Sequence, residues 1–137
     1  MSLKRNLIHS LLLITGFVIV AGATAAKPGL NNEARITNGL IDTAIAYEIG
    51  RKCDSLEPRI IQGINFLYEL RSHAQSLGYT SAEIDSYIEN DAEKDRLEAI
   101  ARDRLRALGG VEGEWETYCE VGRAQIAAGT QIGRLLR

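Results

Sequence analysis

The sequence predicts an all-α fold, a compact bundle of about five helices whose first and last members run antiparallel and are disulfide-linked. Three observations carry that prediction. Apolar residues recur at helical spacing, with no run of alternating polar and apolar positions. Prolines are confined to Pro28 and Pro58. The only two cysteines, Cys53 and Cys119, fall at the end of the first helical segment and near the start of the last.

The N-terminus is read separately from the fold. Lys4 and Arg5 precede an apolar run from Leu7 to Val20, and Ala23 and Ala25 then stand in an A-x-A pattern. This is the layout of a secretory signal peptide over residues 1–25, cleaved after Ala25 or one residue later. The alternative is an uncleaved anchor, for which the run is short against the about 20 apolar residues of a spanning helix. Residues 26–31 read as a flexible leader and 32–137 as a single helical domain. Removing the signal leaves 14 basic and 18 acidic residues. That mildly acidic balance offers no bulk attraction to nucleic acid or to anionic lipid, so neither nucleic acid nor membrane is expected as a partner of the processed chain.

The first helix is predicted from about Asn32 to Lys52. Ile36, Leu40, Ala44 and Tyr47 form one apolar row and Ile41, Ile45 and Ile49 another. A helix apolar on two sides needs two neighbours, which places it centrally. After the break at Cys53-Asp54-Ser55, Pro58 suits the first turn of a second helix. Ile60, Ile61, Ile64, Leu67, Tyr68, Ala74 and Leu77 give that helix a wide apolar face, and Gly78 ends it. Thr80-Ser81-Ala82-Glu83 is a capping box, flanked by Tyr79 and Ile84 at hydrophobic-staple spacing, so a short third helix runs to about Asn90. The fourth spans Asp91 to Leu108, with Leu97, Ile100, Ala101, Leu105 and Leu108 inward. Its acids come early and Arg102, Arg104 and Arg106 late, as the helix dipole favours; the arginines read as a solvated face, or else as a docking patch.

Gly109-Gly110 stops the fourth helix, and a last one begins near Gly113. Trp115, Tyr118, Cys119, Gly122, Ile126, Gly129, Gly133 and Leu136 share one side of it. Glycine on a buried helical stripe costs roughly 1 kcal/mol relative to alanine, so a neighbouring backbone is expected to come close there. Export places the cysteines in an oxidising compartment, where two thiols have one intramolecular pairing, Cys53–Cys119. Free buried thiols or interchain crosslinks are the competing readings.

Candidate chemistry is sparse. His9 leaves with the signal, and His73 stands alone on a polar helix side with no nucleophile to serve. One histidine and two distant cysteines do not fill a zinc shell. Glu89, Asp91, Glu93 and Asp95 diverge around a helix and lack the glycine of an EF-hand loop. There is no C-x-x-C redox pair, and the Gly129/Gly133 spacing sits among Gln131 and Arg134, as in a soluble helix rather than a membrane dimer. No catalytic residue, metal site or cofactor is therefore expected. Arg71 is the polar residue that stands out, at the middle of the second helix's apolar face. It is either buried with a carboxylate or an interface against it, or it snorkels, its stem on the core and its head in water.

Several segments together resemble an uncharacterised domain-of-unknown-function family of small exported alphaproteobacterial proteins. They are Ile36-x-Asn38-Gly39-Leu40, Arg51-x-Cys53, Gly78-Tyr79-Thr80, Tyr118-Cys119-x-Val121-Gly122-x-Ala124-x-Ile126-Ala127 and Leu135-Leu136-Arg137. The resemblance implies a shared two-cysteine architecture in a Gram-negative periplasm and no assigned activity. The expected function is that of a non-catalytic periplasmic interaction or accessory protein with a protein partner not identifiable from sequence. The alternative is a small acid- or stress-responsive periplasmic chaperone.

Overall fold

Ile41, Ile45 and Ile49 recur every fourth residue, and in the computed structural model they are the most deeply enclosed large side chains among the described residues. The structure describes residues 26–137, so the expected signal peptide lies outside the described residues. The three isoleucines form one side of helix α1 (Ala34–Lys52), around which the other helices assemble. These are α2 (Ile60–Ser76), α3 (Ser81–Glu89), α4 (Asp91–Ala107), α5 (Trp115–Ala127) and α6 (Gln131–Arg134). Among the described residues there are no strands, only isolated bridges at Pro58–Leu136 and Val111–Glu114. No described helix is long and apolar enough to cross a membrane.

The core has two parts. The larger joins Ile41, Ile45 and Ile49 with Ala101 and Leu105 of α4, Tyr118, Cys119 and Val121 of α5, and Ile132, Leu135 and Leu136 at the C-terminal end. The smaller gathers Leu30, Ile36, Leu70, Ala74, Tyr79 and Ile84, and Phe66 packs against both. The two apolar sides of α1 thus serve two clusters, as its central position requires. Tyr47, expected in the inward row, is instead half exposed. Leu97 and Ile100 pack on the larger cluster, whereas Leu108 sits beyond the end of α4 and is exposed.

Cys53 caps the C-terminus of α1 and Cys119 lies in the second turn of α5, and the two are disulfide-bonded with Cα atoms 5.2 Å apart. One turn back along α1, Ile49 Cγ2 lies 3.0 Å from where a side chain on Gly122 would start, one turn onward in α5. Moving backward on one helix while moving forward on the other establishes the antiparallel pairing. The connection after Cys53 is also pinned by the chain's last residues. Glu57 and Arg137 exchange backbone hydrogen bonds, and the Arg59 amide donates to the Leu135 carbonyl. Pro58 sits within this extended pairing, where its missing N–H is not needed, and α2 starts only at Ile60. The expectation of Pro58 in a first helical turn is corrected accordingly.

The last predicted helix is two helices. Gly129 adopts φ 63°, a left-handed conformation that terminates α5, and Thr130 caps α6 by accepting from the Gly133 amide. Gly133 explains the expected close approach: a Cβ there would collide with the Gln125 carbonyl of α5. So Gly129 serves the turn and Gly133 the packing.

The third helix forms as its local chemistry dictates. Thr80 Oγ1 accepts from the Glu83 amide at 3.2 Å, Glu83 Oε2 accepts from the Thr80 amide at 2.6 Å, and Tyr79 and Ile84 are both buried. The segment expected as a flexible leader is docked on this corner. Lys27 Nζ donates to the Gly78 carbonyl and to Glu83 Oε2, both at 2.9 Å, and lies over the Tyr79 ring. The Tyr79 hydroxyl donates to the Pro28 carbonyl, and Leu30 is buried.

Candidate functional site

Helix α2 is built as an inward-facing helix and is only half used as one. Leu70 and Ala74 are buried, and Phe66 partly so, all on the side turned to α1. The wide apolar face expected from the sequence is present, and apart from Ala74 it faces solvent. Ile61 is 72% exposed, Tyr68 65%, Ile60 53%, Ile64 45% and Leu67 40%. Such residues scattered singly need no explanation, but five on one side of a single helix make a contiguous apolar patch, the usual mark of a contact surface.

The reason lies in how the helices are distributed. Among the described residues the helices that α2 packs against are α1 and, at its C-terminal end, α3, and its outer face is left exposed. Between α1 and the N-terminal half of α2 runs a groove of about 180 Å³, walled by Thr43, Ala46 and Tyr47 on one side and Ile60, Ile64 and Leu67 on the other. Its lining is almost wholly apolar. The patch therefore continues from the crest of α2 down to Tyr47.

Arg71 lies one turn beyond Leu67 on the same side of α2. It is neither deeply buried nor free: its side chain is 30% exposed and Nη1 donates to Asp85 Oδ1 at 2.7 Å. That hydrogen bond holds the Asp85 carboxyl below its ordinary range and raises the guanidinium further. Arg71 thus ties α2 to α3 and closes the C-terminal end of the patch. Next to it, Thr80 and Lys27 lower the pKa of Glu83 through their hydrogen bonds.

The other polar candidates are dispersed. His73 is half-buried on the opposite flank of α2, in a shallow dip with Arg35, Asn65 and Glu69. The late arginines of α4 are not one patch. Arg104 reaches α1, where Nη1 meets Asp42 Oδ1 at 3.2 Å and Nη2 meets Asn38 Oδ1 at 2.9 Å. Arg102 and Arg106 pair within α4, with Glu98 and Asp103. Burial raises the pKa of Asp42, against the opposing pull of Arg104. This α1–α4 link was missed in the sequence, which holds no signal that singles out one arginine of three. A second cleft, about 440 Å³, opens between α1, α4 and α5 over Ile45, Ala101, Leu105 and Tyr118, with Glu48, Arg51, Glu98 and Arg102 on its rim.

Of the residues singled out in advance, Cys53 and Cys119 are joined, and Arg71 stands well away from them on α2. The residues not foreseen as a site are Ile60, Ile61, Ile64, Leu67 and Tyr68. Chemically the surface they make offers area and shape rather than proton transfer or metal ligation.

Residues 28–137 match the model of a protein family described as a family of unknown function, DUF5333. No curated protein and no solved structure matches the chain.

Proposed function

The chain belongs to DUF5333, a family of unknown function, and from that premise we propose that it is a non-catalytic interaction or accessory protein of the periplasm. In this reading it is exported by its N-terminal signal peptide, which is then removed. The observation that carries the reading is the exposed apolar face of α2, with Ile61 and Tyr68 at its most accessible points. Large apolar side chains held on a rigid helix, outside any core, are what protein contact uses for affinity. The Cys53–Cys119 bond supports an oxidising compartment.

A photo-crosslinking residue placed at Ile61 in producing cells tests this directly. Protein adducts are expected from position 61 and none from Gln62, which is also exposed but faces the polar side of α2. The osmotic-shock fraction of the same cells should contain a chain whose mass begins at Ala26. No adduct from positions 61, 64 or 68 would remove the interaction reading, and a full-length cytosolic chain would remove the export.

A second reading, an acid- or stress-responsive chaperone, is favoured by the chemistry of the α2–α3 corner. Glu83 and Asp85 both have lowered pKa values in the fold. Their contribution to stability is present above the ordinary carboxylate range and is lost as pH falls through their lowered folded values. Asp42 is raised, so its effect has the opposite sign: it favours the fold as pH drops and weakens it as pH rises through the raised value. Acid is thus expected to release α3 and the Lys27–Leu30 segment from α2, while protonation of Asp42, which its burial favours, does not add to that loss. Apolar dye binding should rise between pH 7 and 2, with tyrosine near-ultraviolet signal lost. Constant dye binding and an unchanged tyrosine signal over that range would count against the chaperone.

A further inference from the structure

We propose that the α2 face is covered by a second copy of this chain, packed antiparallel on its own α2 about a twofold axis. The proposal rests on the interaction reading above and names the partner of that surface.

The spacing of the patch specifies a helical occupant. Ile60, Ile64, Leu67 and Arg71 follow a 4-3-4 repeat, the seam along which one helix packs its side chains between those of another, and Ile61 and Tyr68 flank it seven residues apart. Self-complementarity then specifies the copy. In antiparallel register Ile64 faces Leu67 of the second chain, Ile60 faces the Arg71 stem, and Ile61 faces Tyr68, each contact occurring twice, as an isologous interface requires.

Charge selects the direction. A parallel pairing would set Arg71 against Arg71, whereas the antiparallel one separates them by roughly 16 Å along the axis, eleven residues at the helical rise. Each guanidinium is already turned to its own Asp85, leaving its stem on the seam. No other charged residue stands on the stripe between Ile60 and Tyr68.

Area is consistent with a modest dimer. Ile60, Ile61, Ile64, Leu67, Tyr68 and the adjoining Tyr47, between 40% and 72% exposed, supply several hundred Å² per chain, on the order of the about 800 Å² that each partner contributes to a standard interface.

Sedimentation equilibrium of the exported, oxidised protein tests the proposal. A concentration-dependent balance between one-chain and two-chain mass is expected. Ile64→Asp should weaken it at least tenfold with the far-ultraviolet spectrum unchanged, and Gln62→Asp should leave it intact. For the register, Ile61→Cys and Tyr68→Cys proteins should crosslink when mixed and not when separate. A one-chain mass at every concentration up to about 0.5 mM overturns the proposal. So does a dimer indifferent to Ile64→Asp, crosslinking of either cysteine variant with itself, or sedimentation of single chains with phosphatidylglycerol vesicles. A photo-adduct of foreign mass from position 61 would leave the interaction reading standing and end this one.

Discussion

Replacing both cysteines with alanine is expected to lower the stability of the domain by about 4 kcal/mol. The bond spans 66 residues of sequence, and on the chain-entropy account a loop of that length, once opened, returns about 4 kcal/mol of conformational freedom to the unfolded state. Set against a typical total of about 5–15 kcal/mol, that is a large share. Urea titration of Cys53→Ala/Cys119→Ala against the oxidised parent measures it, with Tm expected to fall by roughly 15 °C or more. The same loss should follow from reduction alone, because it arises from the crosslink rather than from the side chains. If the reduced and oxidised proteins unfold at the same urea concentration, the bond constrains nothing that the packing does not already hold.

The second large effect is predicted at Ile49. Its side chain is fully enclosed, packed near Gly122 of α5 and within the larger cluster. Ile49→Ala should cost about 2–5 kcal/mol, the transfer of the lost methyl groups plus the cavity they leave. Ile61→Ala, on a residue of the same type, should stay within about 0.5 kcal/mol at concentrations too low for association. The pair of measurements separates core from contact surface by energy alone. An Ile61→Ala loss equal to that of Ile49→Ala would mean that Ile61 is packed in a core rather than exposed on α2.

Those two isoleucines also show what the sequence made legible. The 4-residue recurrence through Ile49 announced α1 and its central place, and the cysteines announced which helix lies antiparallel to it. The capping box at Thr80 and Glu83 was readable because every interaction in it is local. What local pattern does not encode is how many neighbours surround a helix. The apolar face of α2 has the composition of a core surface, and only the three-dimensional arrangement of α1 and α3 leaves it uncovered. Arg71 was ambiguous for the same reason, since its partner Asp85 lies on a different helix. The break at Gly129 was hidden because glycine suits both a left-handed turn and a tight helix contact, and Gly129 and Gly133 divide those roles.

The central placement of α1 has a consequence for any chain delivered N-terminus first, whether from the ribosome or through a translocation pore. Residues 34–52 emerge first among the described α-helices, yet Ile41, Ile45 and Ile49 are enclosed by segments that run on to Leu136. Nothing synthesised in between can shield them fully, and the sulfur of Cys53 waits for Cys119 over the same interval. The nascent molecule therefore passes through a stage in which these three isoleucines lack the partners that later enclose them, and it ends only when the residues around Leu136 arrive.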